Sequence, residues 1–326
     1  MRWRRLAVTA VMAVASPAGG AVVDIVTGAG SAADAACTIN RTLGQGSTGA
    51  QVSCLQARLN VLGHPVGPVD GDFGPQTRDG VIRYQRANGL TVDGIVGRQT
   101  GRSLGIWADA PRACRPPAGV PSSARQVVVV NAFGSYADVD LLLRRPRGWT
   151  CARMEMAGRV GRNGVRPLAQ RRSGDGTTPA GIFRLAAHRA PDGQVFQVFG
   201  NGSDPGGPAA WRPVESGDCW GATPGTSSYN RLRRSAAGAC PSPDEYLPNF
   251  VGSYRQAALI GANMGRHRSG DDPGEPPLAA AIFLHHFSFD ANGGTRATSG
   301  CVSLGTTNLA AVLRHLRPGR AWFVIR

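Results

Sequence analysis

Lysine is absent from this 326-residue sequence, so all 36 basic side chains are arginines. The absence excludes a serine–lysine catalytic pair, which needs the lysine amine as its base. Aromatic residues are scarce, at 6%, and the arginines are scattered rather than clustered. These features make nucleic-acid binding a weak alternative, and we expect no nucleic-acid partner. The net charge of +15 favours attraction to polyanions such as an anionic cell wall, although a solubilising surface without a specific partner would look the same.

Long apolar runs are also missing. No stretch reaches the roughly 18 uninterrupted apolar residues of a spanning helix, so we expect no membrane span. An arginine-rich start precedes the apolar segment Leu6–Ala15, and Ala33-Asp34-Ala35 is an acceptable cleavage site. This pattern is typical of a secretory signal peptide, here residues 1–35, and predicts a protein secreted to the cell wall or periplasmic space. A lipid anchor at Cys37 is the alternative, which Asp34 disfavours.

The seven cysteines are an odd number, so at most six can pair within the chain. An exported protein can keep disulfides. We favour three pairs, of which two close short segments and the third joins what remains: Cys37–Cys54, Cys219–Cys240 and Cys114–Cys151. This is one of fifteen connectivities that six cysteines allow. It leaves Cys301 free, either as a buried inert thiol or as a nucleophile.

The first globular segment, about residues 37–107, contains an internal repeat. Two copies of Asp-Gly-x-x-Gly-x-x-Thr begin at Asp70 and Asp93. Each copy predicts a turn that leads into a helix, because Asp-Gly favours turns and the second glycine permits an unusual backbone. Before the first copy, apolar residues recur at helical spacing: Val52, Leu55, Leu59 and Leu62. The segment therefore predicts about three short helices.

Residues 41–105 resemble, over nearly their whole length, a peptidoglycan-binding domain of the helical type 1 kind. The resemblance implies a small all-α domain that anchors the protein to peptidoglycan. The candidate wall-binding residues lie in the two repeat copies: Asp70, Gly71, Phe73, Asp93 and Gly94. The alternative is that these residues mainly build the fold. Gly80 stands where a small helix-forming residue is more usual, which predicts a cost of about 1 kcal/mol to that helix.

A linker rich in Pro, Ala and Ser is predicted at residues 108–125. The second segment, residues 126–326, holds many short apolar stretches between Gly- and Pro-rich loops, and it predicts a mainly-β domain with few helices. The predicted strands are QVVVV, GIFRLAA, QVFQVFG, AAAIFLHHF and AWFVIR. One amphipathic helix is expected from the spacing of Leu309, Val312, Leu313 and Leu316. The chain is thus predicted to be multidomain.

The stretch TSGCVSL, Thr298–Leu304, contains the odd cysteine, and two adjacent histidines precede it in AIFLHHF. A reactive thiol needs a nearby base, which is most often histidine. Side chains alternate along a strand, so only one of His285 and His286 can readily face Cys301. Gly300 removes a side chain beside the thiol, and the N–H groups around it are candidate donors to an oxyanion.

This pattern, with Thr178-Pro179-Ala180-Gly181 upstream, resembles the signature of the L,D-transpeptidase catalytic domain (YkuD-type) from about Gln126 onward. The resemblance implies that Cys301 is the nucleophile and His285 its base. It further implies that the backbone carbonyl of His286 orients the imidazole, and that no metal or organic cofactor is needed. Supporting roles go to Ser299, which replaces a more usual histidine, and to Gly300. We assign substrate contacts to Thr178, Pro179, Gly181 and Asn292.

The resulting hypothesis is an exported cysteine acyltransferase that acts on peptidoglycan stem peptides and forms 3→3 cross-links, with carbapenem-type inhibitors expected. Water as the acceptor would make it an L,D-carboxypeptidase, and a decayed site would leave a non-catalytic wall-binding protein. A zinc site of His285, His286 and Cys301 is a further alternative, although the usual ligand spacings are missing. Papain-like endopeptidases place Cys before His, opposite to the order here. Residues 216–240 are either a disulfide-tethered lid or a surface loop.

Overall fold

Three short helices begin the fold in the computed structural model, which describes residues 37–109, 113–236, 238–272 and 274–326. They are α1 (Ala50–Val61), α2 (Pro75–Ala87) and α3 (Arg98–Ser103). Val52, Leu55 and Leu59 are fully buried, as their spacing predicts. Leu62 is instead the exposed C-cap, because α1 ends one residue earlier. The predicted signal peptide lies outside the described residues.

Gly80 is required by packing in the middle of α2. A Cβ atom at this position would lie 2.1 Å from Val66 Cγ1 and 3.3 Å from the His64 carbonyl oxygen. A larger residue would displace the loop that precedes α2. Glycine therefore suits this position despite its low helix propensity.

After the helices, eleven strands form one large sheet in the order β4-β5-β16-β1-β2-β3-β15-β14-β13-β8-β9. Two smaller sheets, β11-β10-β12 and β6-β7, lie beside it. The strands are β1 (Gln126–Phe133), β2 (Tyr136–Arg145), β3 (Gly148–Arg159), β4 (Val165–Pro167), β5 (Thr178–Arg184), β6 (His188–Arg189), β7 (Val195–Phe196), β8 (Val198–Gly200), β9 (Trp211–Pro213), β10 (Asp218–Trp220), β11 (Leu232–Arg234), β12 (Glu245–Tyr246), β13 (Ala257–Leu259), β14 (Phe283–His286), β15 (Val302–Leu304) and β16 (Ala321–Ile325). The predicted fold class, three helices followed by a mainly-β domain, is confirmed.

The valine-rich strand β1 lies in the interior of the large sheet. It pairs in parallel with β16 and antiparallel with β2, so its continuous apolar run is buried on both faces. Helix α4 (Thr306–Leu313) packs on the sheet through Leu309, Val312 and Leu313. Leu316 follows the helix and is also fully buried.

Two predicted strands are shorter than their apolar stretches. AAAIFLHHF becomes a strand only from Phe283, because Ala281 adopts a left-handed conformation with φ of 53° that a strand cannot contain. QVFQVFG divides into β7 and β8, with Gln197 between them. Neither change moves His285 out of a strand.

The three disulfides join the predicted pairs, Cys37–Cys54, Cys114–Cys151 and Cys219–Cys240. Residues Cys37–Arg326 form one compact unit. Helices long and apolar enough to cross a membrane are not found among the described residues. The domain boundaries at residues 107 and 125 stay predictions.

Buried polar contacts join the helical segment, residues 37–107, to the large sheet. The Trp107 indole N–H donates to Glu155 Oε2 at 3.0 Å, and the Thr42 hydroxyl donates to Asp138 Oδ1 at 2.7 Å. Both carboxylates belong to residues at most 3% exposed. The two ends of the helical segment are therefore bonded directly to β2 and β3.

Candidate active site

Strands β14 and β15 bring His285 and Cys301 to the same face of the sheet. They pair in parallel, with His285 beside Ser303 and Leu284 beside Val302. Cys301 therefore enters β15 next to Phe283, and residues two apart on a strand share a face. The register, not the loop between them, places the imidazole and the thiol together.

The thiol of Cys301 rests against backbone groups. Its Sγ donates to the Ala281 carbonyl at 3.1 Å and accepts the Phe283 N–H at 3.3 Å. Cys301 is the one cysteine of the described residues outside a disulfide, and it is buried. Burial raises the pKa of the thiol to about 12, so the resting sulfur is protonated and unreactive at neutral pH.

His285 is held in the form that a base requires. Its Nδ1 lies 2.6 Å from the His286 carbonyl oxygen, which can only accept, so Nδ1 carries the proton and Nε2 keeps a lone pair. Burial lowers the pKa of His285 to about 4, which keeps the ring neutral at pH 7. Within the described part of the chain, no hydrogen bond joins His285 to the Cys301 thiol. Proton transfer between them thus requires the sulfur to leave Ala281.

The carbonyl of Cys301 is fixed by two threonines. Thr298 Oγ1 donates to it at 2.6 Å and Thr178 Oγ1 at 3.0 Å, while Thr178 Oγ1 also accepts the Gly161 N–H at 2.8 Å. Thr178 is fully buried, and its hydroxyl holds the Cys301 carbonyl in place. Its contact with the substrate remains a prediction.

The other predicted residues near Cys301 have varied surroundings. Pro179 is buried in β5, and Gly181 follows it in the same strand, beside Ile325.

The Gly300 N–H already donates to Thr298 Oγ1 at 3.2 Å, so an oxyanion would have to compete for it. A Cβ atom at Gly300 would lie 3.1 Å from the Thr177 carbonyl oxygen, which explains the glycine. Ser299 is exposed.

His286 faces away from the thiol. Its Nδ1 lies 3.4 Å from Thr306 Oγ1, at the start of α4, and its Nε2 is buried without a partner. The rings of His285 and His286 therefore do not converge with Cys301 on one point, which argues against the zinc alternative. The group of metal-type ligands that does converge among the described residues is the set His267, Asp272 and Glu275, in a separate, largely exposed loop.

Asn292 lies at the helical segment. Its carbonyl accepts a bond of 2.5 Å from Arg78 Nη2 in α2, and Asp290 lies 3.8 Å from the same nitrogen. The structure thus places this loop against α2, and Asn292 is not brought into contact with the thiol in the described residues.

Three residues around the site, Tyr254, Glu245 and Arg171, carry no signal in the sequence. The Tyr254 ring packs edge-on against His285, with ring centres 5.3 Å apart, and its hydroxyl donates to Glu245 Oε2 at 2.7 Å. Arg171 is 1% exposed and donates to the carbonyls of Thr177 and Leu278. All three lie outside any recognisable motif, on loops or a very short strand, so only the folded chain reveals them.

The segment 216–240 forms part of the cover over this site. Trp220 is fully buried, with its ring centre 5.0 Å from that of Phe283. Its indole N–H donates to Asn230 Oδ1, which also accepts the Ala281 N–H at 3.1 Å. The segment is therefore packed into the core around Cys301; movement as a lid stays a prediction.

The repeat copies in the helical segment are built around two buried glutamines. Gln56 Nε2 donates to Asp70 Oδ1 at 2.7 Å, and its Oε1 accepts the Gly71 N–H at 2.9 Å. Gln85 does the same for the second copy, with Asp93 at 2.9 Å and Gly94 at 3.0 Å. Each glutamine therefore stabilises one Asp-Gly turn through hydrogen bonds: Asp70-Gly71 in the first copy and Asp93-Gly94 in the second.

Phe73 and Asp93 have little surface to offer a ligand. Phe73 is 2% exposed in the helical core, and Asp93 is 8% exposed. Burial raises the pKa of Asp93 to about 6, whereas hydrogen bonds lower that of the exposed Asp70. The motif visibly builds the fold, and its direct contact with peptidoglycan stays a prediction.

Comparisons with known proteins match two family models. The peptidoglycan binding domain model matches residues 48–104, and the L,D-transpeptidase catalytic domain model (YkuD) matches residues 153–325. The second match covers more than half of the chain.

Individual relatives match over shorter parts. N-acetylmuramoyl-L-alanine amidase CwlM of Mycobacterium tuberculosis is 39% identical over 97 residues, which are 30% of this chain and 23% of the relative. The zinc D-Ala-D-Ala carboxypeptidase of Streptomyces albus G is 42% identical over 99 residues, which are 29% of this chain and 37% of the relative. The chain thus spans well under half the length of either. The crystal structure of an L,D-transpeptidase from Stackebrandtia nassauensis aligns with 89% of this chain and 97% of its own, at 12% identity and a TM-score of 0.32.

Proposed function

The chain belongs to the L,D-transpeptidase catalytic-domain family, and on this premise we propose that it is a cysteine acyltransferase of peptidoglycan stem peptides. Cys301 is the nucleophile and His285 is its base. The observation that carries the proposal is the 2.6 Å bond from His285 to the His286 carbonyl, next to a free thiol. That bond leaves a neutral Nε2 on the face that Cys301 shares.

The proposed reaction begins when the thiol turns from Ala281 towards His285. His285 Nε2 takes the proton from Sγ, and the sulfur forms a bond to the carbonyl carbon of the third stem residue. The tetrahedral oxyanion collapses, the C–N bond breaks, and the terminal D-alanine leaves as an amine with the proton from His285. An amine of a neighbouring stem then attacks the thioester carbon and gives a proton to His285. The C–S bond breaks, the sulfur takes the proton back from His285, and the 3→3 cross-link remains.

The helical segment supports an anchoring role. We propose that residues 37–107 bind peptidoglycan, that 108–125 connect, and that 126–326 carry out the chemistry. The family match over residues 48–104 supports this assignment. Three disulfides and the predicted signal peptide support secretion to the cell wall or periplasmic space.

The proposal is tested by incubating the protein with a disaccharide tetrapeptide donor and an amine acceptor. We expect a cross-linked dimer and free D-alanine from the wild type, and neither from Cys301→Ala or His285→Gln. Release of D-alanine without a dimer would favour the L,D-carboxypeptidase alternative, and turnover by Cys301→Ala would contradict the proposal.

A further inference from the structure

The backbone takes an unusual conformation just before the strand that carries His285. Ala281 has a φ of 53°, in the left-handed region that residues with a side chain seldom adopt. Glycine enters this region freely, whereas alanine stays there only when its surroundings impose it, and such residues concentrate at functional sites. The conformation of Ala281 therefore needs a partner elsewhere in the chain.

Asn230 supplies that partner from a distant segment. Its Oδ1 accepts the Ala281 N–H at 3.1 Å and the Trp220 indole N–H at 3.0 Å. Its Nδ2 donates to the carbonyls of Ala262 at 3.3 Å and Asn263 at 2.8 Å. The two N–H groups can only donate and the two carbonyls can only accept, so the orientation of the amide is fixed. Asn230 is 1% exposed, and both ends of its amide are bonded.

Ala281 also provides the resting place of the thiol. Cys301 Sγ donates to the Ala281 carbonyl at 3.1 Å and accepts the Phe283 N–H at 3.3 Å. A carbonyl can accept only from the protonated sulfur, so this contact favours the thiol over the thiolate. The direction of the carbonyl follows from the backbone torsion angles of Ala281, which Asn230 holds.

The sheet takes hold of the chain one residue later. The Ile282 carbonyl accepts the Ile260 N–H at 3.1 Å. Ala281 precedes this contact, and within the described part of the chain its N–H is bonded to Asn230 alone. Replacing Asn230 should therefore change the conformation at Ala281 and leave the strand that carries His285 in place.

We propose that Asn230 is a positioning residue for Cys301: by holding Ala281 in the left-handed conformation, it keeps in place the carbonyl that binds the resting thiol. In this state the proton stays on the sulfur, and the sulfur stays away from His285. The thiol becomes reactive when it leaves the carbonyl. The inference rests on the proposed function for its purpose, since a nucleophile is what needs such control, but its test does not use turnover.

The S–H stretching band of Cys301 reports directly on this contact. The other six cysteines form disulfides, so the intact chain has a single S–H group. Infrared spectroscopy records its stretch, which lies apart from other protein bands and moves to lower frequency when the S–H donates a hydrogen bond. We expect a lowered band in the wild type and a higher, unbonded one in Asn230→Ala. An unbonded band in the wild type would overturn the inference.

A second variant carries the test if Asn230→Ala fails to fold. Ala281→Val keeps Asn230 and Trp220 but places a β-branched residue where the left-handed conformation is least tolerated. It should therefore raise the frequency of the band as Asn230→Ala does. A band that stays at the wild-type position in Ala281→Val would contradict the inference.

Reactivity provides an independent measurement. At pH 8, iodoacetamide should alkylate Cys301 in Asn230→Ala about threefold faster or more than in the wild type, which is the effect of one ordinary hydrogen bond on an equilibrium. Peptide mass spectrometry measures the rate. Adding Ala281→Gly to Asn230→Ala should move both the band and the rate back towards the wild type, because glycine adopts the left-handed conformation without strain. A double variant that behaves like Asn230→Ala would overturn the inference.

Trp220→Phe separates this effect from a loosened cover. It removes one bond of Asn230 and opens space in the apolar cluster that contains Cys301, but it leaves the bond to Ala281. Its S–H band should stay at the wild-type position. Equal acceleration of alkylation in Trp220→Phe and Asn230→Ala, with the band unmoved in both, would mean that access alone had changed, and would overturn the inference.

The two proposals fail in different ways. The predicted infrared and alkylation results without any turnover of peptidoglycan fragments would count against the proposed function alone. Turnover by the wild type, together with an S–H band that Asn230→Ala does not move, would count against the role of Asn230 alone.

Discussion

At the scale of single residues, the backbone of Cys301 is held more firmly than its sulfur. Two threonine hydroxyls fix the carbonyl, while the thiol has only the Ala281 carbonyl and one backbone N–H. Such an arrangement presents the nucleophile from a rigid backbone and leaves its side chain free to turn.

Thr178→Val tests this support. Valine keeps the shape of threonine but removes both the bond to Cys301 and the acceptor for Gly161. We expect a loss of about 1–3 kcal/mol in the free energy of unfolding, because the Gly161 N–H is left buried without a partner. Urea titration measures the loss, and the exposed Thr307→Val is the matched control. A loss no larger than the control's would mean that these bonds do not support the loop.

The two repeat aspartates should respond oppositely to pH. Asp93 has a pKa near 6 in the folded state, above its value of about 3.9 in the unfolded chain, so its contribution is full below pH 4 and is lost as the pH rises through 6. Asp93→Asn keeps an oxygen for Gln85 and Ile95 and should gain stability relative to the wild type above pH 6.

Asp70 has the opposite sign. Its folded-state pKa is lowered, so its contribution is present at neutral pH and is lost as the solution becomes acidic. Asp70→Asn should therefore be less stable than the wild type at pH 7, with the difference shrinking at low pH. Thermal unfolding at pH 2 to 8 measures both variants. The same pH trend in both would contradict the account.

At the scale of elements, apolar periodicity predicted where helices and strands lie but not where they end. Val52, Leu55 and Leu59 identified α1, and QVVVV identified β1. The start of β14 was missed because Ala281 leaves the strand conformation, which depends on Asn230 from a distant segment. Long-range hydrogen bonds of this kind have no local pattern in a sequence.

Gly80 shows how packing can reverse a propensity argument. Gly80→Ala places the best helix former in α2, but its Cβ would lie 2.1 Å from Val66 Cγ1. We expect a destabilisation of about 1–3 kcal/mol from overpacking, measured by chemical denaturation. Gly74→Ala, at a position with open space, is the control. A stabilised Gly80→Ala would show that the loop yields without cost.

The same limit applies to the candidate site. Cys301 and His285 were predicted because a motif links them, and β14 and β15 do bring them to one face. Tyr254, Glu245 and Arg171 were not predicted, because their nearness to the thiol arises from tertiary packing. Gln56 and Gln85 were missed for the same reason, although each precedes its Asp-Gly turn by a short interval.

At the scale of the whole molecule, the helical segment and the sheet share buried contacts. Ile95 packs with Tyr136 and Phe287 in one apolar cluster, and the Tyr136 hydroxyl donates to the Gln45 carbonyl at 2.9 Å. Breaking these contacts would also remove the buried hydrogen bonds that Thr42 and Trp107 of the helical segment make to Asp138 and Glu155. Residues 37–326 should therefore unfold together.

Scanning calorimetry of the mature chain tests this expectation. We predict a single transition whose calorimetric enthalpy equals the van't Hoff enthalpy. Trp107→Phe, which loses the bond to Glu155, should lower the midpoint without dividing the transition. Two separate transitions in the wild type would mean that the helices and the sheet are independent, and that the shared contacts contribute little.

The central claim is that Cys301 is a nucleophile which His285 can activate. The measurement that tests it most directly is intact-protein mass spectrometry after incubation with a carbapenem, with Cys301→Ala as the control. The account predicts one covalent adduct on the wild type, mapped to Cys301, and none on the variant. An unmodified wild type, or an equal adduct on Cys301→Ala, would contradict the claim and leave a wall-binding protein with an inactive catalytic fold.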